Sequence, residues 1–218
     1  MIGYYKKHVL ALSERVHNIR QNTADLDLLI ETQLYILKRV LITEERKSQY
    51  KSQVSALKGE LRGRRLAKKD AALLKSKIGR LGMRVKDCQW LLYIWRCFGD
   101  AIAFSYLDKW AIKPFYFESK TTHIKQSAGH MGGKDGLYRE FALVLDARKH
   151  EVPALLTDLT NTIRHGDVSL LGASDPYVIE VKSSANVNQR VVRQSESIRD
   201  IHSYMENDGA ENVRGMLV

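Results

Sequence analysis

The chain has 218 residues and a formal net charge of +10, from 35 Lys/Arg and 25 Asp/Glu. A hydrophobic content of 44% is enough to bury a core, and two cysteines in such a length exclude a disulfide framework. The N-terminal stretch "MIGYYKKHVLAL" holds too short an apolar run for a signal peptide or membrane span, and Arg96 and Asp100 interrupt the run from Trp90 to Leu107, so a cytoplasmic protein with no membrane partner is expected.

The first half reads as helix almost throughout, with no proline before Pro114. A cap signal at Asn22–Asp25 precedes a periodic stretch from about Leu26 to Leu61, carried by Ile30, Leu34, Leu37 and Leu41. Val54, Leu57 and Leu61 resume it after a polar slip around Glu44 to Lys51. Gly63, within "RGRR", marks a break. A second helix then carries Leu74, Ile78, Leu81, Val85, Cys88, Leu92 and Trp95, alternating steps of four and three that make a heptad seam. Two such helices around a short turn predict an antiparallel coiled-coil hairpin over residues 1–98. Cys88 and Cys97 fall on opposite sides of the second helix at roughly 100° per residue and cannot bond to each other there. Trp90, Trp95 and Trp110 are expected in the core, since two of them lie on or beside the seam.

Between Lys38 and Lys86 there are 16 Lys/Arg against 4 Asp/Glu, which leaves 19 basic and 21 acidic residues elsewhere. All the excess positive charge therefore sits on the arm. The asymmetry predicts a polyanionic partner, nucleic acid ahead of an acidic membrane surface. Arg62, Arg64, Arg65, Lys68 and Lys69 at the tip are the candidate contacts.

From about Gly99 the texture changes. An aromatic run, "FSYLDKWAIKPFYFE", and a glycine-rich one, "SAGHMGGKDG", form a connector over 99–135. The latter fits neither GxxxxGK[ST] nor GxGxxG and reads as a linker or lid, not a nucleotide loop. Residues 136–218 alternate helix and strand. "LYREFALVLDARKH" and "VPALLTDLTNTI" are expected as helices, and "DVSLL" and "YVIEVK" as strands around the turn "GASDP". "NQRVVRQSESIRDIHSYMEN" is expected as a helix and "NVRGMLV" as a last strand. This pattern predicts an α/β domain.

Glu-x-Lys occurs three times, at Glu45, Glu118 and Glu180, and only the third, Glu180 to Lys182, lies in a β-rich run with an acid before the preceding strand. If Gly172 to Asp175 is a four-residue loop, Leu171 pairs with Pro176 and Asp167 falls opposite Glu180. Facing side chains on an antiparallel pair are about 5 Å apart at Cβ. Two carboxylates at that distance repel unless a divalent cation lies between them. The competing reading is a salt-bridge ladder on a half-exposed sheet. His165 is expected as a strand-end residue without a role in substrate contact.

The stretch "GDVSLLGASDPYVIEVKSS" resembles the PD-(D/E)XK, or restriction-endonuclease-like, nuclease superfamily over roughly residues 136 to 218. Gly166, not proline, precedes Asp167. The resemblance implies an α/β core with a mixed central sheet flanked by helices, and a Mg²⁺ site for which Mn²⁺ substitutes. In it Asp167 and Glu180 hold the metal with the Val181 carbonyl. Lys182 orients water or stabilises developing charge, and Glu140 of the preceding helix adds a ligand. Gln189, Arg193 and Gln194 on the following helix match substrate-contacting positions. The expected activity is metal-dependent phosphodiester hydrolysis, on DNA before RNA, such as a bacterial anti-phage effector performs. The competing reading is a non-catalytic coiled-coil adaptor that binds nucleic acid or protein through a degenerate nuclease fold. A homo-oligomer or protein partner on the helical arm is compatible with either.

Overall fold

The structure is a computed structural model and describes residues 2–63, 67–117, 123, 129–134, 136–181 and 189–207. The described residues are mostly helical, with long N-terminal helices and a small antiparallel sheet. The helices are α1 (Ile2–Gln21), α2 (Leu26–Gly63), α3 (Lys68–Tyr106), α4 (Lys109–Ile112), α5 (Leu137–Lys149) and α6 (Gln189–Asn207). The strands are β1 (Ala154–Leu156), β2 (Val168–Leu170) and β3 (Tyr177–Ile179), with 3-10 turns at Lys113–Tyr116 and Thr157–Leu159. Among the described residues no helix is long and apolar enough to cross a membrane.

The cap signal forms as expected: Asp25 Oδ1 accepts from the Leu28 N–H at 2.9 Å and starts α2. α2 and α3 pack as an antiparallel pair. The contacts that fix their direction are Arg84 over the Tyr50 ring, the Trp95 Nε1–H donating to Thr43 Oγ1, and Arg96 beside Glu44. On α3 the seam turns inward, with Leu81, Cys88, Leu92 and Trp95 buried. On α2 the expected stripe holds at Leu37, with Ile30 and Leu41 packed against the core, but the inward face is wider. Leu34 is 45% exposed, while Leu29, Gln33, Ile36, Val40 and Glu44 face in. α2 serves the sheet and a loop as well as α3, and four polar residues, Thr32, Gln33, Thr43 and Glu44, take core positions.

α3 also runs past the expected change at Gly99. A Cβ on Gly99 would collide with the Leu159 carbonyl, so this glycine admits the chain after β1 and does not end the helix. Trp95 is fully buried, whereas Trp90 and Trp110 are 66% and 64% exposed, contrary to the core placement expected for all three. Cys88 and Cys97 are free.

The sheet order is β1-β2-β3, antiparallel throughout. The expected helix over "VPALLTDLTNTI" is replaced by β1 and a 3-10 turn. Leu155 and Leu156 of β1 and Leu159 of the turn are all at 0% exposure, and pairing with β2 makes β1 a strand covered on both faces. Gln33 finishes the outer edge of β1: its Nε2 donates to the Ala154 carbonyl at 2.8 Å and its Oε1 accepts from the Leu156 N–H at 3.0 Å. At the other edge the Val178 N–H donates to His202 Nε2 of α6 at 3.2 Å. The hairpin pairs Val168 with Ile179, Ser169 with Val178 and Leu170 with Tyr177, the register read from the four-residue loop. The expected strand over 212–218 lies outside the described residues.

One apolar core joins the layers, from Leu12 and Ile19 of α1 through Trp95 and Ile102 of α3 to Val168 of β2 and Ile201 of α6.

Candidate acidic cation site

Asp167 is fixed by its backbone. Gly166 has φ +65, and a Cβ there would meet the Val178 side chain and the Ile179 carbonyl. Only glycine turns the chain here at no steric cost. The next residue is then tied to both neighbouring strands. The Asp167 N–H donates to the Ile179 carbonyl at 2.8 Å, and its carbonyl accepts from the Thr157 N–H at 3.0 Å. Thr157 Oγ1 also donates to the Gly166 carbonyl at 2.6 Å. The Asp167 side chain is left to face the loop before α5, with Oδ2 accepting from the Val181 N–H at 2.8 Å.

Three carboxylates converge there on one ammonium. Lys134 Nζ lies 2.8 Å from Glu140 Oε1, 3.2 Å from Asp158 Oδ2 and 3.2 Å from Asp167 Oδ1. Glu140 comes from the first turn of α5, Asp158 from the 3-10 turn after β1, and Asp167 from the start of β2. Glu140 is 2% exposed, and its second oxygen, Oε2, is buried without a hydrogen-bond partner. Burial works against the Lys134 ammonium, but the hydrogen bond to Glu140 and the charges of Asp158 and Asp167 outweigh it and hold its pKa above the ordinary lysine value. Burial likewise pushes the Glu140 carboxyl up; Lys134 pulls it back, and the nearby Asp167 charge adds to the rise.

Formally, three carboxylates against one ammonium leave two negative charges uncompensated. An all-oxygen donor set with that excess and an orphaned buried oxygen suits a hard divalent cation. Among the described residues no three His, Cys, Asp or Glu side chains are grouped closely enough to hold a metal as they stand. The ammonium occupies the space between the carboxylates.

The loop bearing Lys134 is held from the helical arm. Glu44 of α2, 1% exposed, accepts on Oε2 from the Met131 N–H at 2.9 Å and the Gly132 N–H at 3.0 Å, and His130 Nδ1 lies 2.8 Å from the same oxygen. Arg96 of α3 lies 3.7 Å from Glu44 Oε1 and donates from Nε to the Asp158 carbonyl at 2.9 Å. Four residues further along α3, Asp100 Oδ1 accepts from the N–H groups of Asn161 and Thr162. Both segments that frame the acidic pocket therefore rest on buried charges of the arm helices.

Of the residues singled out in the sequence, Asp167 and Glu140 meet at Lys134. The Val181 backbone is joined to them through Asp167. Glu180 is half-buried and lines a cleft between β3 and α6, together with Arg199, His202 and Glu206. Lys182 lies outside the described residues, as do the side chains of Gln189, Arg193 and Gln194 on α6 and the tip residues Arg64 and Arg65. Arg62, Lys68 and Lys69 are exposed. His165 is 1% exposed and structural, with Nε2 2.7 Å from the Phe117 carbonyl and its ring edge-on to Phe115. Lys134, Asp158, Glu44 and Arg96 were not selected by sequence reasoning. The visible signs were Glu44 at the polar slip in the α2 stripe and Arg96 interrupting the apolar run from Trp90 to Leu107.

The chain matches no protein-family model, no curated protein and no solved structure.

Proposed function

We propose that the chain is a divalent-metal-dependent nuclease with a restriction-endonuclease-like core, acting on DNA in preference to RNA. The observation that carries this reading is the meeting of Glu140 and Asp167, both assigned as metal ligands by the resemblance, at a single ammonium. Two carboxylates brought together from α5 and β2 repel unless a cation lies between them. When bound, the metal supplies Lewis acidity toward the scissile phosphate and an acidified water.

The chain's own part is positioning and charge. Asp167 and Glu140 present oxygens from two rigid elements, and Asp158 adds a third. The Val181 N–H is tied to Asp167 Oδ2. Lys182 is assigned the stabilisation of charge that develops as water attacks phosphorus and the bond to the leaving oxygen breaks. The excess positive charge of the arm would draw the polyanion and hold its backbone.

Purified protein incubated with single-stranded, double-stranded and circular DNA and with RNA, in Mg²⁺ or in EDTA, tests the reading. Mg²⁺-dependent cleavage of DNA is expected. No cleavage of any substrate in Mg²⁺ or Mn²⁺ would overturn it. The second reading, a non-catalytic adaptor, is favoured by one observation: the acidic pocket is already paired with Lys134. It predicts nucleic-acid or protein binding with no dependence on metal.

A further inference from the structure

We propose that Lys134 is an intrinsic counter-cation that holds the divalent-cation position of the acidic pocket until a metal displaces it, and that Asp158 is a ligand of that pocket. The proposal rests on the cation-site reading above and adds to it how the site is guarded and which third carboxylate completes it.

Three features carry it. Lys134 Nζ contacts all three carboxylates at once, at 2.8, 3.2 and 3.2 Å, so no ion could enter among them without moving it. The ammonium answers only one of the three charges, and Glu140 Oε2 remains buried and unbonded. A divalent ion in its place would leave a smaller charge excess and give that oxygen a partner. Asp158 cannot drift out of the pocket, because its own carbonyl is held by Arg96 and the preceding Thr157 N–H is held by Asp167.

Displacement needs little of the backbone. The Lys134 N–H donates to the Met131 carbonyl at 3.1 Å, Met131 is fully buried, and Glu44 grips the Met131 and Gly132 N–H groups. The loop thus stays anchored while the lysine side chain, 34% exposed, swings toward solvent about its own four-carbon stem.

Mn²⁺ binding to wild type, Lys134→Met and Lys134→Arg, measured by isothermal titration alongside melting curves in EDTA and in Mn²⁺, tests the proposal. A charge within 4–6 Å shifts proton affinity by roughly one to three log units, and the same Coulomb term opposes a metal. Lys134→Met should therefore bind Mn²⁺ at least about tenfold more tightly than wild type. It should melt lower than wild type in EDTA and recover more on adding Mn²⁺. Lys134→Arg, which keeps the charge, should not tighten. If Lys134→Met is unfolded in EDTA, folding restored by Mn²⁺ supports the proposal and folding not restored overturns it. Wild type that binds Mn²⁺ as tightly as Lys134→Met would overturn the guarding role and leave the cation site standing. Equal tightening in Lys134→Arg would assign the effect to the loop and not the charge, which also overturns it. No Mn²⁺ binding by any of the three proteins would remove the cation site itself.

Discussion

Two regions of this molecule are dense in charge, and they use it in opposite ways. At the far end of the α2–α3 hairpin, Arg62, Lys68 and Lys69 stand in solvent. At its base, Glu44 and Arg96 are 1% and 7% exposed, and the carboxylates of Glu140, Asp158 and Asp167 crowd around Lys134. Exposed charges cost nothing to keep and bias the long-range field, so they say which class of partner is attracted. Buried charges are costly unless each is paired, so their positions are fixed and say what is bound and where. The tip suits the proposed polyanionic partner; the base specifies a pocket.

That contrast is open to attack where the base is strongest. Glu44→Ala would leave Arg96 buried without its partner and strip the Met131 and Gly132 N–H groups of their acceptor. Removing one member of a buried pair costs roughly 3–5 kcal/mol, and urea unfolding should show a loss of that size. A loss under about 1 kcal/mol would put the base on the same footing as an exposed salt bridge.

Next in size are the catalytic effects. Lys182→Ala should lower cleavage by about a hundredfold or more while leaving Mn²⁺ binding nearly intact. Cleavage at the wild-type rate would remove Glu180 to Lys182 from the site.

At the tip the expected effect is smaller and of a different kind. Reversing Arg62, Arg64, Arg65, Lys68 and Lys69 to Glu should weaken nucleic-acid binding and flatten its dependence on salt, because fewer counterions are released from phosphates. Anisotropy titrations at several salt concentrations measure both. An unchanged slope would give the arm to a protein partner or a second copy of the chain.

Smallest is a pH effect at the β3 edge. His202 accepts from the Val178 N–H and stacks on Tyr177 at 4.5 Å, and burial holds its pKa below the ordinary 6.5 despite the opposing charge of Glu206. A depressed histidine contributes stability that is full above 6.5 and is lost as pH falls through the folded value. The protection of α6 amides from hydrogen exchange, taken relative to the intrinsic rate at each pH, should therefore fall as pH drops below 6.5, and His202→Phe should remove most of that dependence. Protection that does not change with pH would mean the bond does not hold α6.

Much of this was legible in the sequence because it rests on local rules. The Asp25 cap, the α3 seam and the four-residue hairpin loop each depend on spacing within a few residues, and each formed as read. What was not legible rests on long-range contacts. "ALL" became a strand because β2 and Gln33, 121 residues away from Ala154 in the chain, complete it. The inward face of α2 widened because Gln33 and Glu44 were recruited by a strand edge and a loop, which no heptad count registers. Of the site, Asp167 stood out through the hairpin spacing and Glu140 through the resemblance alone. Lys134 and Asp158 did not, since a lysine in a glycine-rich stretch and an aspartate between Thr157 and Leu159 carry no periodic signal until the fold brings them together.

The central claim is that these carboxylates form a divalent-cation site. Loss of the free Mn²⁺ electron paramagnetic resonance signal on adding protein measures this without any substrate. Wild type should bind Mn²⁺, and the double variant Glu140→Gln, Asp167→Asn should lose most of that binding while keeping its helical circular dichroism. A wild type that leaves the Mn²⁺ signal untouched, or a folded double variant that binds as well as wild type, would contradict the account.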